Sequence, residues 1–340
     1  MITIDGSQGE GGGQMLRTSL GLSMLTGQPF RMERVRANRD KPGLMRQHLA
    51  CVLAAAEICS ADVDGAHVGS SAVTFKPKAV KPGDYRFATG SAGSTTLVFQ
   101  AVLPALLTAG GPSTLTLEGG THNVFAPPLD FVERAFLGVV NRMGPRVEVW
   151  ADRMGFYPAG GGRWTATVTP AAMLSPVEVA DRGPDAGRTC HAVVAGLPGE
   201  IAVRELAVVK QAFDWPDESF QIRQAPDDQG PGNVVMIELA YGNVTEVCTA
   251  FGQRGVRAEA VADAAVQEAK KYLAGGAPVG EHLADQLLIP LAMAGGGSYV
   301  TTDLTEHTRT NVEVVKRFLD VEVEVSEEGR GRWRVAVTGR

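Results

Sequence analysis

The chain contains one pattern three times: GEGGGQMLRTSLGLSMLTGQ (residues 9–28), GSAGSTTLVFQAVLPALLTAGG (90–111) and GEHLADQLLIPLAMAGGG (280–297). Each copy begins with glycine, continues with apolar residues at helical spacing and ends in glycine. A strand-like run, a loop and a second helical pattern follow each copy, and two more strand-like runs complete the unit. Repetition on this scale predicts three copies of one βαβαββ unit.

The third copy is interrupted. The strand-like runs ITID (2–5) and DYRFA (84–88) stand just before the first two helices, whereas SPVEVADRG (175–183) lies far upstream of the third. The intervening stretch has strand and helix patterns of its own and is long enough for a small domain. We predict an α/β (α+β) fold of three units, each with two helices on a four-stranded sheet, and a small α/β domain inserted in the third; a doubly wound sheet is the alternative. The predicted boundaries are 1–185 plus 276–340 for the large domain and 186–275 for the small one.

Composition narrows the class of protein. The chain has 340 residues, 44% of them hydrophobic, and can bury a large core. No apolar run approaches the ~20 residues that span a bilayer, and MITIDGSQ does not resemble a secretory signal, so we expect no membrane partner and a cytoplasmic location. The net charge of −6 argues against non-specific coating of nucleic acid. Four cysteines without CxxC spacing and six histidines without HxxxH or HExxH spacing predict neither a disulfide nor a structural zinc.

The glycine-rich loop GSQGEGGGQ follows a strand and precedes a helix, where backbone amides can approach a phosphate. It matches neither a Walker motif nor GxGxxG. A carboxylate such as Glu10 is favourable beside phosphates when a divalent cation lies between them, and Arg17 can hold a phosphate with its planar guanidinium. The alternative is that Glu10 only stabilises the helix start and that Arg17 is a surface residue.

Three further stretches fit an anionic ligand. The run from Arg31 to Arg46 has a local excess of four positive charges, and its RANRDKPG core reads as a loop whose side chains converge at one edge. GSAGSTT, before Gln100, is a second helix start with hydroxyl groups. EHLADQ places polar residues at the third helix start. A solvated charged surface and ordinary helix caps are the alternatives.

His307 is the candidate nucleophile. It lies in TDLTEHTRTNVEVVKRF, where a strand-like stretch gives way to a helix, and ligands bind at this end of a sheet. Neutral imidazole is a competent nucleophile near pH 7. A capping or partly buried structural histidine is the alternative.

These motifs together resemble the RNA 3′-terminal phosphate cyclase family. GSQGEGGGQMLR, RANRDKPGLMRQHL, GSAGSTTLVFQAVLP, FYPAGGG, DQGPGN, VGEHLADQLLIPLA and HTRTN occur in the family's order over essentially the whole chain. The resemblance implies three repeated units with an inserted domain. It also implies an ATP-dependent ligase-type enzyme that turns RNA 3′-phosphate ends into 2′,3′-cyclic phosphodiesters through a histidine–AMP adduct and an RNA-adenylate.

The resemblance also implies roles for individual residues. His307 would be adenylylated, and Glu10 would bind the metal, Mg²⁺ or Mn²⁺. The implied ATP- and phosphate-binding residues are Arg17, Arg36, Arg39, Gln47, Gln100, His282, Leu283, Ala284, Asp285 and Gln286. A catalytically silent RNA-binding ribosome-assembly factor of the same family is the alternative function, and enolpyruvyl transferases share the architecture by analogy. The oligomeric state is left open by the sequence.

Overall fold

The computed structural model describes residues 1–9, 11–329 and 331–340. In this part of the chain, four-stranded sheets and helices form the predicted α+β fold of repeated units, so the fold class is confirmed. Glu10, the predicted metal ligand, lies outside the described residues. The division into domains at residues 186 and 275 stays a prediction.

The repeated units follow the predicted order of elements, and the third is interrupted after its first strand. The first unit comprises β1 (Ile2–Asp5), α1 (Gly13–Thr26), β2 (Phe30–Glu33), α2 (Arg46–Cys59), β3 (Asp62–Asp64) and β4 (Val73–Lys76). The second comprises β5 (Asp84–Ala88), α3 (Thr95–Leu106), β6 (Ser113–Gly119), α4 (Leu129–Phe131), α5 (Leu137–Val140), β7 (Arg146–Arg153) and β8 (Gly162–Thr169). The third opens with β9 (Glu178–Val179).

A fourth sheet with its own helices follows β9 before the third unit resumes. It comprises β10 (Asp185–Ala195), α6 (Glu200–Ala212), β11 (Phe220–Ala225), β12 (Gly232–Tyr241), β13 (Thr245–Phe251) and α7 (Ala258–Gly275). The third unit then continues with α8 (Glu281–Met293), β14 (Gly296–Thr301), α9 (Glu306–Phe318), β15 (Val321–Gly329) and β16 (Arg332–Gly339).

Sheet topology separates the repeated units from the fourth sheet. The repeated sheets have the orders β1-β2-β4-β3, β5-β6-β8-β7 and β9-β14-β16-β15, and in each the first pair is parallel. Parallel neighbours need a crossover, which α1 and α3 supply in the first two units. The fourth sheet has the order β11-β10-β12-β13, with its opening strand in the interior. It is therefore a different unit and not a fourth copy.

One expected helix has an irregular centre. The apolar pattern of residues 126–143 predicts a single helix, but a π-helical turn, Val132–Phe136, separates α4 from α5. Arg134 in this turn pairs with Glu238 of β12. The irregular turn therefore contacts the fourth sheet.

Both faces of the fourth sheet are buried. Alternate residues of β10, such as Ala192 and Val194, pack with α6 and α7 in one apolar cluster. Val193 and Ala195 of the same strand belong to the main core, together with Val234 and Met236 of β12. A strand covered on both sides reads as a continuous apolar run, as CHAVVAG does. The fourth sheet is thus continuous with the core of the molecule.

Candidate active site

His307 lies in the first turn of α9. The hydroxyl of Thr305 caps this helix by accepting from the backbone N–H of Thr308 at 3.2 Å. Partial burial lowers the pKa of His307 below its ordinary value of 6.5, and the neighbouring cations Arg17 and Arg39 act in the same direction. The charge of Asp285 opposes them. The imidazole is therefore neutral near pH 7, the form that can attack an electrophile.

Gln14 connects His307 to a half-buried carboxylate. Its Nε2 donates to Asp285 Oδ2 at 2.8 Å, and its Oε1 lies 2.8 Å from His307 Nδ1. Because the amide nitrogen is directed at the carboxylate, the amide oxygen is left to accept from Nδ1–H. In that tautomer the lone pair of His307 is on Nε2. Gln14 thus fixes both the orientation of the ring and the nitrogen that can act as nucleophile.

Asp285 is held by the helices around it. Asn311 donates to the backbone oxygen of Asp285 at 2.8 Å, and Thr18 donates to Asn311 at 2.7 Å. Burial raises the pKa of Asp285 to about 6, and His307 is the largest of the influences that oppose this shift. The group is still largely ionised at pH 7. These contacts join α1, α8 and α9 at the same point.

The glycine-rich loop runs beside this cluster. Gly9 and Gly11 have φ values of 54° and 61°, a region that favours glycine. A Cβ at Gly9 would lie 2.3 Å from the hydroxyl of Thr310, and one at Gly11 would lie 2.6 Å from the amide of Asn38. The loop thus packs between α9 and the basic loop that follows β2. Asn38 also donates to Ser7 O at 2.8 Å, which joins the two loops.

Gly13 allows two basic side chains to approach the start of α1. A Cβ there would lie 2.3 Å from His48 Nε2 and 3.1 Å from Arg17 Nη1. Burial lowers the pKa of His48 to about 3, and the charges of Arg17 and Arg36 add to the effect. His48 is therefore neutral, and Arg17 is the cation at this position.

Two predicted phosphate ligands make contacts within the protein. Arg36, with φ 53°, donates to the backbone oxygens of Lys41 at 2.7 Å and Gly43 at 2.9 Å. It thereby shapes the basic loop. Gln47 accepts from the backbone N–H of Ser94, the N-cap of α3, at 2.8 Å. It ties the start of α2 to the second glycine-flanked helix start.

The predicted nucleotide-binding residues of α8 fall into two groups. Gln100 of α3 donates to Gln286 at 2.5 Å, and His282 is exposed, with its Nε2 3.6 Å from Glu268. Leu283 and Ala284 are fully buried, and their backbone N–H groups donate to Gly280 O at 3.2 and 3.0 Å. The helix start therefore offers the side chains of Gln286 and His282 on its open side.

A buried carboxyl supports the start of α8. Glu246 of β13 is 3% exposed and accepts from the backbone N–H of Gly280, the N-cap of α8, at 2.9 Å. A Cβ at Gly280 would lie 2.6 Å from this carboxyl group. Burial, followed by the neighbouring charge of Glu268, raises the pKa of Glu246 to about 8. The fourth sheet thus holds the helix that carries Asp285.

The structure brings some predicted residues together and leaves others apart. His307 and Asp285 are linked through Gln14, and the charges of Arg17 and Arg39 act on His307. Gln100 pairs with Gln286, whereas Arg36 and Gln47 bind backbone groups of neighbouring loops. Gln14, His48 and Asn311 complete the cluster without being singled out by sequence. Gln14 has the clearest signal, since it ends the quoted loop GSQGEGGGQ.

Comparison with known proteins identifies the family. The family model for RNA 3′-terminal phosphate cyclase matches residues 8–325. A relative from Koribacter versatilis (strain Ellin345), named RNA 3′-terminal phosphate cyclase, is 52% identical over 328 residues, covering 96% of this chain and 92% of its own. A relative of the same name from Ectopseudomonas mendocina (strain ymp) is 51% identical over 322 residues, covering 95% of this chain and 94% of its own. The chain belongs to the RNA 3′-terminal phosphate cyclase family, as its motifs predict.

One solved structure resembles the chain weakly. The enolpyruvyl transferase NikO from Streptomyces tendae aligns over 100% of this chain and 48% of its own, with 14% identity and a TM-score of 0.39. Among the helices of the described residues, none has the length and apolar character to cross a membrane.

Proposed function

We propose that this chain uses ATP to convert an RNA 3′-terminal phosphate into a 2′,3′-cyclic phosphodiester, with His307 as the nucleophile. The observation that carries the proposal is the chain of hydrogen bonds from His307 through Gln14 to Asp285. It places the lone pair of a neutral imidazole on Nε2 in a member of this family.

In the first step, Nε2 of His307 attacks the α-phosphorus of ATP. A phosphorus–nitrogen bond forms as the bond to the pyrophosphate oxygen breaks, and pyrophosphate leaves with the bonding electrons. The ring gains positive charge as its lone pair is used. Because Nδ1–H donates to Gln14 Oε1, and Gln14 is hydrogen-bonded to Asp285, the negative end of this chain stabilises that charge.

In the second step, an oxygen of the RNA 3′-phosphate attacks the adenylate phosphorus and the phosphorus–nitrogen bond breaks, which restores neutral His307. In the third step, the ribose 2′-hydroxyl attacks the 3′-phosphorus, loses its proton, and displaces AMP. The hydroxyl and the phosphate belong to one ribose, so ring closure benefits from a high effective concentration. The protein's contribution is positioning and neutralisation of charge.

The cations near His307 would neutralise the phosphates. Arg17 and Arg39 would do this, because their charges act on the ring of His307. Arg36 would act by holding the basic loop, and Gln47 by holding the start of α3. Nucleotide contacts would come from the side chains of Gln100, His282 and Gln286. Leu283 and Ala284, which are fully buried, would act by packing the helix that carries these side chains. Asp285 would act through Gln14.

A divalent metal fits this site if one protein carboxylate and the phosphate oxygens of the substrate bind it together. Among the described residues, no group of three or more His, Cys, Asp or Glu side chains is arranged to hold a metal ion. Mg²⁺ at a nucleotide site needs only one or two protein carboxylates, with phosphate oxygens and water as its other ligands. Glu10 would supply the carboxylate, and Mg²⁺ or Mn²⁺ would offset phosphate charge.

The proposed reaction is tested on the RNA end. With ATP and Mg²⁺, an oligoribonucleotide with a 3′-phosphate should become resistant to alkaline phosphatase, because a cyclic phosphodiester has no monoester to remove. An oligonucleotide ending in a 2′-deoxyribose 3′-phosphate is the matched control: it can be adenylylated in the second step but has no 2′-hydroxyl with which to cyclise. Its product should therefore retain AMP and gain mass, whereas the cyclic RNA end is lighter than its 3′-phosphate by one water, and intact mass distinguishes the two. An unchanged RNA 3′-phosphate would contradict the proposal and favour a silent RNA-binding member of the family.

Gln14→Ala should slow adenylylation of His307 by about 10- to 100-fold, the range expected when a charge-assisted hydrogen bond is lost. The reason is that Nδ1 loses its acceptor and the ring loses its fixed tautomer. Single-turnover formation of the protein–AMP adduct measures the rate, and equilibrium binding of ATP should change much less.

Gln253→Ala is the matched control for Gln14→Ala, because Gln253 is exposed and remote in sequence from these motifs. Wild-type rates in Gln14→Ala would show that the hydrogen-bond chain has no part in the reaction.

A further inference from the structure

Two exposed aromatic rings lie on neighbouring loops beside the proposed active site. Among the described residues, the strongly exposed hydrophobic side chains include three aromatics: Phe125 at 94%, Tyr157 at 70% and Trp150 at 49%. Exposed aromatic rings lose hydrophobic stabilisation unless a ligand covers them. Phe125 and Tyr157 are on the loop after β6 and on the loop between β7 and β8. Trp150 lies within β7.

The two loops share a rigid base. His122 and Phe156 pair as neighbouring backbone segments, and their rings stack with centroids 5.2 Å apart. Both residues are 2% exposed, and His122 Nε2 lies 3.2 Å from Asp130. Since Phe125 is three residues beyond His122 and Tyr157 is one beyond Phe156, their Cα atoms are at most about 20 Å apart. The packed pair of His122 and Phe156 therefore forms a common base from which Phe125 and Tyr157 extend into solvent.

Turns fix the loop tips. The backbone N–H of Ala126 donates to Asn123 O at 3.2 Å, which closes a turn around Phe125. The backbone N–H of Gly160 donates to Phe156 O at 2.6 Å, which closes a turn around Tyr157. The exposure of these rings is thus a property of ordered turns.

Contacts connect this pair of loops to the helix start next to the active site. Asn123 donates to Ala92 O at 2.5 Å, and a Cβ at Gly160 would lie 2.9 Å from Ala92 Cα. Ala92 is two residues before Ser94, whose N–H is held by Gln47. Arg46, at the end of the basic loop, donates to the backbone oxygen of Gly90, in the same loop as Ala92, at 3.2 Å. The two rings therefore adjoin the end of the basic loop.

The repeat makes the placement of Phe125 informative. In the first unit, the loop between second strand and second helix carries Arg36 and Arg39, and in the third unit it leads to His307. In the second unit the equivalent loop carries Phe125. The loop between the second strand and the second helix thus supplies positive charge in the first unit, an exposed ring in the second and the nucleophile in the third. Charge for phosphates beside rings for bases is the combination that single-stranded RNA requires.

We propose that Phe125 and Tyr157 form a stacking platform for bases of the RNA strand upstream of its 3′-terminal nucleotide. The platform rests on the proposed function, since that function places the 3′-phosphate at His307. The strand would run from His307, past Gln47 and Arg46, to the two rings. Base stacking on aromatic rings tolerates any sequence, so the platform would select for strand length and not for base identity.

Phe125→Ala and Tyr157→Ala in the full-length protein should each weaken binding of a 3′-phosphorylated ten-nucleotide RNA by about 5- to 100-fold, the range that stacking of one base supplies. A 3′-phosphorylated dinucleotide should bind equally well to both variants and to wild type. Fluorescence anisotropy of labelled RNAs measures the affinities. Phe125→Trp should retain binding, and Trp150→Ala, an exposed aromatic of the same unit, is the matched control.

Formation of the protein–AMP adduct without RNA separates this proposal from the proposed function. Both variants should form the adduct at the wild-type rate. Slower adduct formation would mean that the rings serve the nucleotide, and undiminished RNA binding or an equal loss for the dinucleotide would also overturn the platform. If wild type fails to cyclise RNA but the variants lose binding to the ten-nucleotide RNA, the platform stands and the proposed function falls.

Discussion

His307→Ala is expected to abolish the protein–AMP adduct, with a loss of at least ~10³-fold in rate, because removal of a covalent nucleophile leaves the other residues nothing to position. Wild type incubated with ATP and Mg²⁺ should gain the mass of one AMP, and the adduct should be acid-labile and alkali-stable, as a phosphorus–nitrogen bond is. Intact-mass measurement after ATP exposure gives the result directly. His307 lies at the surface end of α9, so the fold should tolerate the change.

His67→Ala is the matched control for His307→Ala, because His67 is an exposed histidine outside the cluster. It should form the adduct at the wild-type rate. An adduct of the same yield in His307→Ala would remove this residue as nucleophile.

Glu246→Gln is expected to stabilise the protein at alkaline pH and to have little effect near pH 4.5. The folded protein holds a proton on Glu246 up to a pKa of about 8, whereas the unfolded chain releases it near 4.5. The folded state therefore binds more protons between these values, so stability from this group falls as pH rises. Glutamine stays neutral and can still accept from the backbone N–H of Gly280.

The gain should be on the order of 3 kcal/mol in free energy of unfolding at pH 8.5, as a shift of several pKa units in a fully buried group implies. Urea unfolding of wild type and variant at pH 5 and pH 8.5 measures it. Glu313→Gln, a change on the exposed face of α9, is the control for general charge effects. Equal pH dependence in wild type and Glu246→Gln would show that Glu246 is ionised in the folded protein.

The repeated architecture is accessible from sequence because it depends on short-range signals. Glycine at both ends of a helix and strands with a period of two residues each leave a local pattern. The third such helix lies far along the chain from the strand that should precede it, and this gap predicts the interrupted unit. The π-helical turn at Val132–Phe136 leaves no such pattern. The apolar spacing around it fits a regular helix, so only the structure reveals it.

Contacts between distant segments limit what sequence tells about the candidate site. Gln14 meets His307 across 293 positions of the chain, and its role depends on where its amide points. Glu246 reads as an ordinary strand residue until α8 is placed above it. The family motifs point to residue types near the phosphates. They do not show that Arg36 holds backbone oxygens while Arg17 stands beside the nucleophile.

The doubly covered fourth sheet has a consequence for any attempt to separate it from the rest of the chain. One side is sealed by α6 and α7, but Val193 and Met236 on the other side are sealed only by the rest of the molecule. If this segment were moved into another protein or deleted from this one, apolar surface would be exposed to solvent on both the segment and the rest of the chain. The segment and the rest of the chain are therefore expected to fold only as one body.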